Sequence, residues 1–389
     1  MPSLQMEKTL QMMSFILVGK RTRLATQVLQ SIRSFSDGNC VVMGSKGTLE
    51  LRWSTLCKQH MLVDFESGND DYFVDSVNQL ALDNSKSILI PFDCDGIRLI
   101  NRVQNHVQNR LKINIIPIPD ASTLEQFEDK WRFHEFCQKY ALPVPPTRWI
   151  GEKHNLDFNA VAAEFGLPFV VKPTNLAGSM GVQIVEDEKF YQDKVLNNPE
   201  YQFDSLIAQR FIEGVDAGVN LLSIKGQLCA FAIQQPVGRG IDFMPNAALE
   251  AIAHKVCHDG QFHGVMNLDV RIEKQTGHVF LIESNPRFWA SLTSSVECGL
   301  NFVAESVETS SKTNVPRQLV AGTSHTLHPL LAPALWHGLV FDRSARGRLI
   351  RAKVFDKYTF FNLVKDFPHM VWRVTHRWAR SNFRLLPLK

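Results

Sequence analysis

Short unbroken apolar runs alternate with helix-spaced apolar positions through the first 120 residues. Ser14-Phe-Ile-Leu-Val18, Cys40-Val-Val-Met43, Ser87-Ile-Leu-Ile-Pro91 and Asn114-Ile-Ile-Pro117 are each short and continuously apolar or nearly so, the pattern of strands buried on both faces. Between them Leu24, Val28, Leu29 and Ile32 recur at helical spacing, and Ile97 to Leu111 predicts a second amphipathic helix. Alternation of this kind predicts a parallel α/β sheet. Ligands of such sheets gather at the carboxyl ends of strands, here the Gly19-Lys20-Arg21 and Asp93-Cys94-Asp95 corners.

A helix start at Asp120-Ala-Ser-Thr-Leu124 follows, then a helix through Lys130, Trp131, Phe136 and Tyr140 that stops before Pro143 and Pro145. From 150 to 300 strands and helices mix. Phe169–Lys172, Ser205–Phe211, Ala217–Ile224, Leu228–Gln234, Met266–Ile272 and His278–Glu283 predict strands, and Ala247–His258 a helix. After about Val315 the regular pattern weakens. The chain thus divides into an α/β unit over 1–124, a mixed α+β unit over 125–315 and a further region over 316–389.

Composition adds little until charge is mapped. With 44% hydrophobic and 21% charged residues the chain is neither fibrous nor wholly disordered. Seven scattered cysteines without a CxxC pair argue for a reducing compartment and against a disulfide framework or structural zinc. The N-terminus lacks the apolar core and cleavage site of a signal peptide, and no run of about 18 apolar residues could span a bilayer. The expectation is a cytoplasmic protein. Its net charge of +3 hides an asymmetry, because Arg343 to Lys389 holds twelve Lys/Arg against two acids, Asp356 and Asp366.

Two segments carry candidate chemistry. In Phe169-Val-Val-Lys-Pro-Thr-Asn-Leu-Ala-Gly-Ser-Met-Gly-Val182 a strand delivers Lys172 beside a loop containing Gly178 and Gly181. Backbone N–H groups of glycine loops can close on phosphate oxygens while a lysine supplies a point charge. No GK[ST] follows, so it is not a Walker A loop, and an ordinary hairpin turn stands beside the phosphate reading. In the second segment, Gly264 to Arg271 and Val279 to Arg287 frame a hairpin. Side-chain alternation puts Asn267, Asp269 and Arg271 on one face of the first strand, and Glu283, Asn285 and Arg287 on one face of the second. Met266, Leu268, Val270, Phe280 and Ile282 fall on the opposite, apolar face. Asp269 opposite Glu283 and Asn285 gathers the hard oxygen ligands that magnesium prefers, and Arg287 could hold a phosphate or an oxyanion.

Taken in order, these segments resemble the ATP-grasp superfamily over roughly residues 125–300, especially carboxylate–amine ligases and the related carbamoyl phosphate synthetase and biotin carboxylase domains. The resemblance implies a pre-ATP-grasp α/β domain, then a two-subdomain ATP-grasp fold, then a basic C-terminal region. It implies ATP with magnesium (or manganese) as cofactors. Lys130 and Lys172 would be the nucleotide lysines, and Ala177, Gly178, Ser179, Met180, Gly181 and Val182 the phosphate-covering loop. Gln209, Arg210, Phe211 and Ile212 would line adenine, and Asp216 would take the ribose hydroxyls. Asp269, Glu283 and Asn285 match the metal ligands, while Arg287 and Lys172 would act on the transferred phosphate. Gln209 stands where an acid is common, and Ala217-Gly218 replaces a bulkier pair.

The implied reaction phosphorylates a carboxylate to an acyl phosphate, which an amine displaces. A carboxylase acting through carboxyphosphate and a non-catalytic nucleotide-binding regulator are the alternatives. Small-molecule acid and amine are the implied substrates, with Arg239, Lys20, Arg21 and Arg23 as candidates to bind them. A homodimer is left open. The tail from Tyr358 to Leu386 interleaves aromatic residues with Lys and Arg, which suits docking on the protein itself, a partner, or peripheral contact with an anionic membrane. No recognised nucleic-acid motif is present.

Overall fold

A computed structural model describes residues 13–365 except 67–69, 84–85, 107–110, 239, 309–314, 326–327 and 333–334. Arg239 and the tail beyond residue 365 lie outside the described residues.

Strands β1 (Ser14–Gly19), β2 (Cys40–Gly44), β3 (Gln59–Leu62), β4 (Ser87–Pro91) and β5 (Asn114–Ile115) form a wholly parallel sheet in the order β3-β2-β1-β4-β5. Central β1 is covered on both faces, which is why its sequence is continuously apolar. Phe15 and Leu17 meet Leu24, Val28 and Ile32 of α1 (Thr22–Arg33). Ile16 and Val18 meet the opposite layer, built from α2 (Asp70–Asp83) and α3 (Cys94–His106). Edge strand β3, half polar as Gln-His-Met-Leu, gave no sequence signal.

Two short helices, α4 (Ala121–Glu128) and α5 (Lys130–Lys139), lead out of this unit. Next come β6 (Thr147–Gly151), α6 (Phe158–Phe165), β7 (Phe169–Pro173), β8 (Gln183–Val185), α7 (Glu188–Tyr191) and β9 (Leu206–Arg210). They make a small antiparallel sheet, ordered β6-β9-β7-β8, with its own core around Phe169, Val171, Tyr191 and Leu206.

The largest sheet contains β10 (Gly214–Ile224), β11 (Gln227–Val237), β12 (Gly240–Phe243), β13 (Gly264–Glu273) and β14 (Val279–Asn285), with α8 (Ala247–Asp259) packed on one face. Helices α9 (Leu292–Glu297) and α10 (Phe302–Val307) pack against α1 and bind the sheet to the N-terminal unit. Strand β15 (Arg317–Leu319) pairs with β11, and β16 (Gly322–His325) with β12. This sheet therefore continues past residue 315, and we propose His325 as the working end of the domain. The region after Val315 holds more regular structure than its sequence suggested. Helices α11 (Trp336–Val340), α12 (Ala345–Phe355) and α13 (357–365) follow the last strand, and α12 packs on α1 and α9.

One sequence expectation is corrected here. A β-bulge between Asp269 and Val270 shifts the hairpin register, pairing Asp269 with Glu283 but Val270 with Leu281. The extra residue is Ile282. Leu281, rather than Phe280 and Ile282, consequently enters the core, and Ile282 turns to the cleft described below.

Candidate active site

The small sheet faces the large one across a cleft of about 410 Å³. Val170, Lys172, Ile184 and Gln209 line one side. Asp216, Ala217, Asp269, Arg271, Ile282 and Glu283 line the other, with Arg210, Phe211 and Ile212 at the back where the chain crosses between sheets.

Alternation along β7 sends Phe169 and Val171 into the core of the small sheet and Val170 and Lys172 into the cleft. Lys172 is only 3% exposed. Its ammonium donates to Gln209 Oε1 at 2.9 Å and to the Ile282 carbonyl at 3.4 Å, neither of which is a carboxylate. Burial therefore pulls its pKa down to about 8, with Glu283 resisting and Lys130 assisting. Gln209 is itself held by donation to Thr147 Oγ1 at 2.8 Å.

Lys130 opens α5. The preceding Asp129 caps that helix by accepting from Trp131 N and Arg132 N, which fixes where Lys130 leaves the backbone. Its ammonium lies 3.1 Å from Glu283 Oε2 and donates to the Leu176 carbonyl at 2.5 Å. Lys130 thus ties the floor of the cleft to the base of the glycine loop without lining the cleft.

In that loop Gly178 and Gly181 have φ of +73° and +71°, where L side chains are strained. A Cβ at Gly181 would also lie 2.7 Å from the Pro173 ring, whereas nothing lies near Gly178. Ser179 and Val182 face the cleft and Met180 is exposed. Tyr201 Oη donates to the Gly181 carbonyl at 2.7 Å and pins the far end of the loop.

On the opposite wall Asp269 stands directly across from Glu283, and Asn267 from Asn285. Asn285 Nδ2 donates to Asp269 Oδ2 at 3.2 Å. Removal from water and the Glu283 charge push Asp269 up to about 8. Burial also acts to raise Glu283, but Lys130 and Lys172 outweigh it and hold that carboxyl below the usual range. Among the described residues no cluster of three or more His, Cys, Asp or Glu gathers. The two carboxylates fit magnesium, which keeps water and takes phosphate oxygens to complete its shell, and Asn285 would add its amide oxygen on turning it from Arg287 to the pair.

Arg287 is nearly buried and does not line the cleft; it donates to Asn285 Oδ1 at 2.8 Å and to the Phe288 carbonyl at 2.7 Å. Asp216 is paired with Arg271, 2.5 Å away, and Arg271 Nε donates to the Ile212 carbonyl. Arg271, Ile282, Ile184 and Thr147 were not singled out as binding residues from sequence, although strand periodicity had put Arg271 on the correct face. A row of amides extends from the carboxylates across the sheet. Asn267 Nδ2 donates to Asn220 Oδ1 at 3.1 Å, Asn220 Nδ2 to Gln234 Oε1 at 2.9 Å, and Gln234 Nε2 to Ser291 Oγ at 3.1 Å.

A sheet carrying paired carboxylates, faced by a lysine-bearing small sheet with a glycine loop, matches known proteins. Residues 202–326 fit the family described as ATP-grasp in the biosynthetic pathway with Ter operon. Over that segment, which holds most of the large sheet, the chain is similar to ATP-grasp proteins. A D-aspartate ligase of Enterococcus faecium is 24% identical over 295 residues, covering 66% of this chain and 67% of that one. The carbamoyl phosphate synthase large chain of Thermus thermophilus is 26% identical over 185 residues, 43% of this chain but only 18% of the relative. N5-carboxyaminoimidazole synthetase from Staphylococcus aureus has a similar fold, with a TM-score of 0.59 at 14% identity over 83% of this chain and 84% of that one. None of the described helices is long and apolar enough to cross a membrane.

Proposed function

We propose that the protein is an ATP-dependent ligase that phosphorylates a substrate carboxylate and joins the acyl group to an amine, releasing ADP and phosphate. The observation that carries this reading is the meeting of Lys130 and Lys172 with Asp269 and Glu283 around one cleft. Two ammonium groups beside two carboxylates suit a metal-bound triphosphate better than any single small ion.

In this reading Arg210 to Ile212 and Gln209 enclose adenine, Asp216 exchanges Arg271 for the ribose hydroxyls, and the loop from Ala177 to Val182 covers the phosphates. Asp269, Glu283 and Asn285 would hold magnesium, which supplies neutralisation of the triphosphate charge. Lys172 and Lys130 orient the β- and γ-phosphates, and Arg287 would have to leave the Asn285 amide to reach the transferred phosphoryl group. A carboxylate oxygen bonds to the γ-phosphorus as the bond to the β-phosphate oxygen breaks, and ADP leaves. The amine nitrogen then attacks the acyl carbon, phosphate departs, and the amine proton passes to water. No protein nucleophile is needed, because phosphoryl transfer rests on positioning and charge stabilisation.

The similarity to a D-aspartate ligase, spread over two thirds of this chain, supports an amino acid as substrate. The carboxyphosphate alternative rests on a relative matched over less than half of it. Outside the cleft, the reading gives the basic C-terminal region a contact role. Release of ADP from MgATP, measured with amino acids and small peptides offered singly and in pairs, tests the activity. A ligase turns over only when acid and amine are both present, and turnover with bicarbonate alone would point to carboxyphosphate chemistry.

A further inference from the structure

We propose that α13 is a docking face for an anionic lipid surface, entered by its aromatic residues and held by its lysines. The helix exposes an apolar stripe. Lys357, Phe360, Phe361, Val364 and Lys365 are the exposed positions, spaced three, four, seven and eight residues from the first, so they form one stripe along the helix. Phe361 is 64% exposed and Val364 54%. The half-buried residues Tyr358, Thr359, Asn362 and Leu363 face the body instead, with Tyr358 packed against the main core. A surface helix normally shows the reverse arrangement.

The anchorage of α13 makes this exposure a feature of the fold. Asp356, 1% exposed, accepts from Ser54 Oγ and Thr55 N at 2.8 Å with one oxygen. With the other it caps the helix, accepting from Thr359 N at 3.1 Å and Thr359 Oγ1 at 2.7 Å. Its carboxylate is thereby committed, and the stripe itself contains no acid. The apolar centre lies between two lysines, and the sequence from 366 to 389 continues with five Lys/Arg against one acid.

A second copy of the stripe would oppose lysine to lysine. An anionic bilayer pairs with those lysines while its interface accepts Phe360 and Phe361, the usual division of labour for an interfacial helix. The contact is peripheral, as none of the described helices could span.

Co-sedimentation of the full chain with vesicles tests this. Binding to phosphatidylcholine vesicles containing phosphatidylglycerol is expected, little binding to phosphatidylcholine alone, and release at high salt. Replacing Lys357→Gln and Lys365→Gln together should weaken binding roughly fivefold per lysine. Phe360→Ser/Phe361→Ser should weaken it as well. Far-UV circular dichroism should remain unchanged in either variant, as should nucleotide binding, which rests on residues outside the stripe. Equal binding to both vesicle types, no binding to either, or binding indifferent to both variants would overturn the proposal. So would salt-insensitive self-association abolished by Phe360→Ser/Phe361→Ser without vesicle binding, which would assign the face to a second copy.

Discussion

The Lys130 ammonium lies 3.1 Å from Glu283 Oε2 while donating to the Leu176 carbonyl. One side chain therefore joins the carboxylate wall, the first turn of α5 and the root of the glycine loop. Its charge is part of what holds the Glu283 carboxyl below the usual range. Arrival of a metal-bound nucleotide would free the lysine to turn to the phosphates, coupling occupancy of the wall to the position of the loop.

Glu283→Ala should abolish ADP formation while the protein stays folded. The loss should be on the order of 10³-fold or more, because several kcal/mol of charge stabilisation go with a metal ligand. MgATP should also stop raising the unfolding temperature of this variant. Substantial ADP formation by Glu283→Ala, assayed with its true substrates, would remove the metal assignment.

Lys172→Ala should lower turnover by about 10²–10³-fold, the usual loss when a preorganised charge is removed from a phosphoryl-transfer site. The loop at 177–182 should exchange its amide hydrogens quickly without nucleotide and slowly with MgATP. Unchanged exchange together with near-normal turnover would reduce the stretch to a hairpin turn.

Burial of Lys172 also predicts a pH dependence of stability. Folded, this lysine loses its proton near pH 8, whereas unfolded it holds it to about 10.5. Between those values the unfolded chain binds more protons, so stability rises with pH across the window. Thermal unfolding of the nucleotide-free protein, compared with Lys172→Met, should show this contribution present in the native chain and missing from the variant. The same slope in both would place the ammonium in a more solvated setting.

How much of this was legible follows from the range of each signal. Local periodicity revealed β1, β2 and β4, because strands buried on both faces are continuously apolar, and it hid β3, a half-polar edge. It put Asp269 opposite Glu283, since a hairpin pairs neighbours in sequence. It could not foresee the bulge at Asp269 and Val270, which adds one residue without a compositional mark and exchanges Leu281 for Ile282 in the core. Contacts between distant segments, such as Lys130 with Glu283 or Lys172 with Gln209, arise only when the two sheets face each other. Family resemblance had collected Lys130, Lys172 and Gln209 as nucleotide ligands and Glu283 as a metal ligand, without indicating that Gln209 would hold Lys172, or that Arg271 would occupy Asp216.

The amide row offers an independent check on the wall. Asn220 is fully buried between Asn267 and Gln234, so Asn220→Ala leaves the Asn267 amide N–H without that acceptor. Stability should fall by about 1–3 kcal/mol, the cost of leaving a buried polar group unpaired. Denaturant unfolding measures it, and a change near zero would mean that the row is decoration.

The acyl phosphate route is tested most directly by phosphorus NMR of a completed reaction in which acid, amine and MgATP are all present. Attack on the γ-phosphate gives ADP and inorganic phosphate, in amounts equal to the amide formed. Carboxylate oxygen labelled with ¹⁸O should appear in that phosphate. AMP and pyrophosphate as products, or phosphate without the label, would contradict the account.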